Sequence, residues 1–504
     1  MKESQSISLK QLLGDYVAIN CLPDIPVTGM NLDSRKIQSG NIFVALAGQN
    51  EHGLAFAEMA ISNGAVAVLC DRKFDQYCQQ MLSTLMTRTI CIPVDNLKTR
   101  LGEIASQFYD EPSKKLFTVG VTGTDGKTSV SHFIAQAFDF LDQSAAVIGT
   151  IGNGLINNLK AATHTTPDVI QVHKILSELV DKGAAQVAME VSSHGLDQGR
   201  VNGVDFDVAV LTNLGRDHLD YHGDIESYGE AKKKLFQQKN IKTAVLNMDD
   251  EFGRQLVHDL NGKVDIWGYA TQTEESCGIK NIVSASGIKM HDQGLSMHIN
   301  SPRGEADVNL NLMGRFNVAN VLATLAVLLI KNIEFTHAIQ SIERLVTVAG
   351  RMQVIKEDNK PAIVIDYAHT PQALESALKS LKDHSRKKLI CIFGCGGDRD
   401  KGKRPLMAKV AENYADEIFV TDDNPRTENA ENITDDIFTG FNDVSKIQLI
   451  HDRKQAISQA IKQASNEDII LLAGKGHENY QIAGDIKHPF SDALVVKACL
   501  EETE

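Results

Sequence analysis

The run Gly123-Thr124-Asp125-Gly126-Lys127-Thr128-Ser129 follows directly on the apolar stretch Leu116 to Thr122. A strand, a glycine-rich turn and a helix N-terminus in that order make a cradle for phosphate. Residues without a Cβ let backbone N–H groups approach an anion, the lysine adds a point charge, and a hydroxyl at the start of the helix can ligate Mg²⁺. The pattern predicts a nucleoside triphosphate site, with Lys127 against the phosphates and Thr128 on the metal. Its spacing departs from the usual G-x-x-x-x-G-K-[ST] loop, which needs glycine at 121, where Val121 stands.

Two further stretches put ionisable groups just past strands. Met189-Glu-Val-Ser-Ser-His places Glu190 at one strand end, and Asn213-Leu-Gly-Arg-Asp-His places Asp217 and His218 beyond another. Ligands of an open parallel sheet sit beyond the carboxyl ends of its strands, so Glu190 and His218 are candidate Mg²⁺ ligands, direct or through water. In the last third, Gly394 to Pro405, Asp422 to Glu428 and Gly474 to Glu478 combine guanidinium groups with carboxylates. Guanidinium forks grip carboxylates and carboxylates hold ammonium, the inventory for recognising a zwitterionic amino acid.

The elements that must position these groups follow from hydrophobic periodicity. Residues 1–96 read as a small α/β module, with strands at Ile42 to Leu46 and Ala65 to Leu69. Asp33-Ser34-Arg35 and Gly48-Gln-Asn-Glu-His-Gly53 flank its first strand, and their residue types suit turns. Residues 97–347 alternate strands (Gln186 to Val191, Phe206 to Leu211, Thr243 to Asn247) with helices (Leu97 to Tyr109, Ser129 to Phe140, Val169 to Val180, Ser227 to Gln238). That alternation predicts a mostly parallel sheet with helices on both faces. Residues 264–312 alternate at period two and predict an antiparallel excursion. Gly314 to Asn320 opens an apolar helix whose asparagines could cap it or meet a base. Residues 348–504 repeat the strand and helix alternation as a Rossmann-like domain without the G-x-G-x-x-G fingerprint. The fold class is thus α/β in three domains.

Composition narrows the function. A net charge of −14 over 504 residues argues against nonspecific binding to nucleic acid or anionic membranes, so a phosphate site must be a local basic pocket. The eight cysteines form no C-x-x-C pair, which suits reduced thiols. The N-terminus lacks the apolar core of a secretory signal, and the run Val321 to Ile330 is about half the length needed to cross a bilayer. The expectation is a monomeric cytoplasmic protein with no membrane insertion.

Taken together, Gly123 to Ser129, Glu190-Val-Ser-Ser-His, Asn213 to His218, Asp366-Tyr-Ala-His-Thr-Pro371 and Gly474-Lys-Gly-His-Glu478 resemble the motifs of the Mur ligase family, the ATP-dependent amino-acid ligases of peptidoglycan synthesis. The resemblance spans essentially the whole chain. It implies that Gly123, Thr124, Asp125, Gly126, Lys127, Thr128 and Ser129 hold ATP, with Asn320, Arg351 and Asp366 on the nucleotide. It implies that Ser34, Thr165, Thr166, Ser192, Gln198 and Arg200 bind UDP-MurNAc-L-Ala-D-Glu. Arg399, Asp423, Asn424, Pro425, Arg426, Gly474 and Glu478 would bind meso-2,6-diaminopimelate, since Asp-Asn-Pro-Arg marks the members that add this amino acid. Lys232 matches the family lysine that CO₂ converts to a carbamate, an anionic Mg²⁺ ligand; on its own it reads as one of three solvated helix lysines. Catalytic roles would fall to Lys127, Lys232 and His218. Asp125 stands where asparagine is frequent, and Val348-Ala-Gly-Arg where Pro-Gly-Arg is usual.

The implied chemistry is transfer of the γ-phosphoryl group of ATP to a carboxylate, followed by attack of an amine on the acyl phosphate. Alternatives are a lysine-adding relative, a folylpolyglutamate-synthase-like ligase, or a nucleotide-binding regulator without catalysis. Intact Lys127, Thr128, Glu190 and His218 speak against the last.

Overall fold

The first hundred residues pair their apolar runs into a four-stranded parallel sheet, ordered Gly29–Asn31, Asn41–Ala45, Ala67–Asp71 and Ile90–Val94. The computed structural model describes residues 6–18, 22–48, 51–72, 76–271, 278–291 and 294–501. Gln49 and Asn50 of the expected polar turn lie outside them, as do the first five residues and parts of the 264–312 run. By its own contacts the chain divides into two compact units. One comprises Met1–Lys127, Asp142–Leu246 and Asp250–Ile266; the other comprises Thr128–Leu141, Asn247–Asp249 and Trp267–Glu504.

In the first unit the strand Phe117–Thr122 lies between Gln186–Glu190 and Val208–Leu211, parallel to both. Ala145–Ile148 and Thr243–Asn247 extend the parallel set, and a short antiparallel pair, Asn153–Leu155 and Asn158–Lys160, closes one edge. Val119, Val121, Val187, Met189, Val208 and Val210 are all buried, the continuous apolar pattern of strands covered on both faces. The helix Ile225–Lys233 begins earlier than periodicity suggests, because Asp224 caps it by accepting from Ser227 N.

The helix Leu97–Phe108 meets the loop around Asn202 backbone to backbone. A Cβ on Gly102 would lie 2.1 Å from the Asn202 carbonyl oxygen, and one on Gly203 (φ +77°) 2.4 Å from the Gly102 carbonyl carbon. Only glycine fits at either position. The same carbonyl receives His173 Nε2 at 2.9 Å from the helix Val169–Asp181.

In the second unit, Trp267–Ala270 pairs parallel to Asn281–Ser284, and the antiparallel ladders Asn281–His291, Gly294–Ser301 and Gly304–Leu310 follow. This corrects the wholly antiparallel expectation. A strand buried on one face alternates at period two whichever way its neighbour runs, so the pattern carries no direction. The last sheet is ordered Gln353–Ile355, Ala362–Asp366, Ile469–Ala473, Leu389–Phe393, Glu417–Val420 and Ile447–Leu449, all parallel except the first. Successive residues alternate between two cores: Val364, Cys391 and Leu471 on one face, Ile363, Ile390 and Ile470 on the other. This order sets the loops after Asp366, Ala473, Phe393 and Val420 side by side.

Burial pushes the His173 imidazole down to about 4 from an ordinary 6.5. The unfolded chain therefore takes up this proton first, and stability, full above pH 6.5, falls as pH drops toward 4. Thermal unfolding measured from pH 7 to 4.5 should show a falling Tm, and His173→Gln should flatten that fall by at most about 3 kcal/mol.

Candidate active site

The strand Phe117–Thr122 delivers Gly123 at φ +149°, where a Cβ would lie 1.8 Å from Thr212 Oγ1. The loop it opens is clamped by the end of the adjacent strand. Thr124 N donates to Asn213 O (3.0 Å), and Asp125 N donates to Asn213 Oδ1 (3.0 Å). Asn213 Nδ2 (3.2 Å) and Thr212 Oγ1 (2.5 Å) both donate to Asp125 O, while Gly215 N donates to Thr124 Oγ1 at 2.8 Å. The helix Lys127–Phe140 starts directly after the loop, two residues earlier than expected. Thr128 and Ser129 stand in its first turn.

Lys127 Nζ donates to the carbonyls of Gly123 (2.9 Å) and Thr124 (2.8 Å). Lys232 Nζ reaches the same Gly123 oxygen at 2.8 Å and lies 4.1 Å from the centroid of the Tyr228 ring. Lys232 is 1% exposed, which overturns the solvated reading: Lys233 and Lys234 are the ion-paired surface lysines, to Asp259 and Asp197. Desolvation, reinforced by the Lys127 charge, pushes the Lys232 amine down to about 6. It is therefore largely neutral at pH 7. Thr124 Oγ1 also donates to Tyr228 Oη at 3.4 Å, and burial pushes that phenol up to about 12. The bracing residues Thr212 and Tyr228 were not singled out from sequence. A threonine and an aromatic carry no motif of their own.

Glu190 is fully buried, and its carboxylate accepts from Thr150 N (2.8 Å) and Thr150 Oγ1 (3.1 Å). Around it the structure gathers five of the residues expected on the nucleotide-sugar substrate. Thr165 Oγ1 lies 3.0 Å from Thr150 Oγ1, and Thr166 Oγ1 donates to Glu190 O (2.9 Å) beside Ser192 Oγ (3.1 Å). Arg200 donates to Thr166 O (2.8 Å) and, through Nε and Nη2, to Gln198 Oε1 (3.0 and 2.7 Å). Ser34 stands apart in the N-terminal module, its hydroxyl against Met59 Sδ at 3.4 Å.

His218 is a non-glycine residue at φ +53°, held by Asp217 Oδ1 on its N–H at 2.8 Å. Its ring lies 4.8 Å from His194, itself 4.2 Å from Tyr221 and 5.4 Å from His222. Burial, with the neighbouring His218 and His222, holds the His194 imidazole below its usual range. Among the described residues no group of three or more His, Cys, Asp or Glu side chains converges as a cation site. The Glu190 carboxylate is turned onto Thr150.

In the second unit, Asp366 Oδ2 accepts from Met352 N (2.8 Å) and Oδ1 from Ala368 N (2.9 Å), while burial raises its carboxyl pKa. Arg351 lies 5.3 Å from the Tyr367 ring, and its buried Nε has no hydrogen-bond partner among the described residues. Asn320 and Asn317 are inside the helix Phe316–Ile330 and do not cap it. Asn320 Nδ2 donates to Asn317 Oδ1 (2.9 Å), and Asn317 Nδ2 to Met313 O (2.7 Å).

Gly474 N donates to Asp366 O at 3.1 Å, joining two strand ends. Asn424 Nδ2 donates to Glu478 Oε2 (2.9 Å), and Arg426, at φ +55°, donates from Nη1 to Gly397 O (2.8 Å). Arg399 Nη1 donates to Asp398 O at 3.2 Å. Two charges of these loops are committed internally. Arg404 is fully buried against Glu428 and Asp436, and Lys475 fully buried against Glu478. Counting loop charges from sequence overstated what faces a ligand.

A braced phosphate loop on one parallel sheet and a charge-lined loop cluster on another define a nucleotide-binding α/β enzyme. The Mur ligase middle domain matches residues 121–328, the Mur ligase glutamate ligase domain residues 350–476, and the Mur ligase family catalytic domain residues 26–109. The chain belongs to the Mur ligase family, whose members are ATP-dependent ligases of three-domain α/β fold. It is 43% identical to the UDP-N-acetylmuramoyl-L-alanyl-D-glutamate–2,6-diaminopimelate ligase of Coxiella burnetii, over 95% of this chain and 96% of that protein. The Pseudomonas syringae enzyme of the same name is 45% identical over 92% and 93%. A solved structure of a ligase of that name superposes with a TM-score of 0.75 at 36% identity, covering 99% of both chains.

Asn213 holds both polar atoms of the Asp125 peptide. Asn213→Ala removes two hydrogen bonds and should weaken binding of a non-hydrolysable ATP analogue about tenfold, measured by calorimetry.

Proposed function

We propose that this protein joins meso-2,6-diaminopimelate to the γ-carboxylate of the D-Glu residue in UDP-MurNAc-L-Ala-D-Glu, using ATP, in peptidoglycan precursor synthesis. The observation that carries the reading is identity of 43–45% over more than nine-tenths of the chain to enzymes named for that reaction. The loop Asp423 to Arg426 supports the choice of amino acid. The three modules, 1–96, 97–347 and 348–504, would bind the UDP-sugar, the ATP and the amino acid respectively.

A free carboxylate is a poor acyl donor because its leaving group would be oxide. Transfer of the γ-phosphoryl group makes an acyl phosphate, whose leaving group is phosphate. Thr124 and Asp125 commit their N–H groups to Asn213, so the cradle is made by the N–H groups of Gly126 and Lys127 at the turn into the helix Lys127–Phe140. The Lys127 ammonium, 2.8–2.9 Å from two loop carbonyls, needs only to turn toward the phosphates to balance charge that shifts onto the bridging oxygen. Thr165, Thr166, Ser192, Gln198 and Arg200 hold the UDP-linked acid, with Ser34 contributing from the first module. Asn320, Arg351 and Asp366 hold the nucleotide. Arg399, Arg426, Asp423, Asn424, Gly474 and Glu478 orient diaminopimelate so that its neutral amine attacks the acyl carbon. The tetrahedral adduct then expels phosphate, and the amine's surplus proton leaves to solvent.

Mg²⁺, when bound, supplies charge neutralisation at the transferred group, and Thr128, Glu190, His218 and a carbamate on Lys232 are the side chains suited to hold it. The hydroxyl and the two carboxyl groups offer the hard oxygens this cation takes, and the His218 imidazole would reach it through one of the waters that Mg²⁺ keeps. Lys232 fits the carbamate: its amine is largely neutral at pH 7, and the N–H that a carbamate retains already has an acceptor in Gly123 O. Among the described residues no helix is long and apolar enough to cross a membrane. A cytoplasmic monomer that binds no nucleic acid completes the reading.

Lys127→Ala should abolish ATP-dependent phosphate release in the presence of both substrates. Product mass with diaminopimelate and lysine in competition should show the diaminopimelate adduct; the lysine adduct would shift the assignment to the lysine-adding alternative. Lys232→Ala should lose the ¹³C carbonyl signal that the native enzyme gains in ¹³C-bicarbonate, and small carboxylic acids should partly restore its activity.

A further inference from the structure

Among the residues assigned above to the amino acid, Asp423, Asn424 and Glu478 come from two separate strand-end loops, and they share one neighbour that no motif argument assigned. Lys475 is fully buried. Its Nζ donates to Asn424 Oδ1 at 3.2 Å and to Glu478 Oε2 at 3.0 Å, and lies 3.9 Å from Asp423 Oδ1. Asn424 closes the ring by donating from Nδ2 to the same Glu478 oxygen at 2.9 Å, and its Oδ1 also accepts from Ile482 N at 2.9 Å. The amide is thereby locked in one orientation.

We propose that Lys475 is the positioning residue of the amino-acid site: a buried ammonium that fixes Asp423, Asn424 and Glu478 in one arrangement and sets the charge they present. Two carboxylates less one ammonium leave one negative charge, enough for a single substrate ammonium group. The nearby buried pair Arg453–Asp492, with contacts of 2.8 Å from Nε and Nη2, adds no net formal charge to that balance. Burial pushes the Asp423 carboxyl up, and the charges of Arg453 and Lys475 oppose this. Loss of the lysine would push that carboxyl further up, toward loss of the charge that selects an amine. A removed partner also leaves the remaining buried groups unsatisfied, which changes their geometry as well as their charge.

The inference rests on the amino-acid-site reading, and the test separates the two. Lys475→Met should raise the KM for diaminopimelate tenfold or more and leave the KM for ATP within threefold. The double variant K475M/E478Q should raise the diaminopimelate KM by less than the product of the two single effects, because Lys475 acts in part through the group already altered. Arg426→Ala is measured alongside. An unchanged diaminopimelate KM in K475M, beside a raised one in R426A, overturns the inference and leaves the site standing. No change in either overturns both. An equal rise for ATP and diaminopimelate in K475M marks a merely structural lysine and also overturns it. Should K475M not fold, the double variant carries the comparison, and an ATP KM raised as much as the diaminopimelate KM, relative to E478Q, overturns the proposal.

Discussion

One carbonyl oxygen governs the glycine-rich loop at 123–129. Gly123 O accepts from two lysines at once, Lys127 at 2.9 Å and Lys232 at 2.8 Å. Two ammonium groups so close cannot both stay charged out of water at ordinary cost. The conflict is resolved by difference in burial: Lys232, beneath the loop and against an aromatic face, gives up its proton more readily. Different burial around one backbone atom thus divides two chemically identical side chains into a cation and a largely neutral amine. The clamp from Thr212 and Asn213 matters because it holds that carbonyl where both lysines meet it.

The two charged sites obey the same architectural rule. Each sits where parallel strands end side by side, so that loops distant in sequence converge. In the last sheet the strand Ile469–Ala473 inserts between Ala362–Asp366 and Leu389–Phe393, and this late insertion brings the Gly474–Glu478 loop against Asp366 and Asn424. A simple sequential sheet would not join them.

Much of this was legible in the sequence. The strand and glycine loop at 117–126 and the bounds of Thr243–Asn247, Ala362–Asp366 and Leu389–Phe393 follow from periodicity or motif, and Thr165, Thr166, Ser192, Gln198 and Arg200, which the structure hydrogen-bonds together, were named by the family resemblance. What stayed hidden has a common cause: it depends on long-range packing. The burial of Lys232 ahead of two surface lysines, the internal pairing of Arg404 with Glu428 and Asp436 and of Lys475 with Asn424, and the parallel start of the 265–310 ladder are decided by neighbours distant in sequence. The buried asparagines of the Phe316–Ile330 helix belong to the same group, since a cap and an interior amide look alike in one dimension.

The meeting of Gly102 with the Asn202–Gly203 backbone has an evolutionary side. Each glycine is required because the other chain is too near to admit a side chain, so neither codon can drift while its partner keeps its place. Divergence there needs a concerted backbone retreat, which would carry along the His173 contact to the same carbonyl. The junction is therefore a ratchet in sequence space: simple to inherit, and hard to leave by single steps.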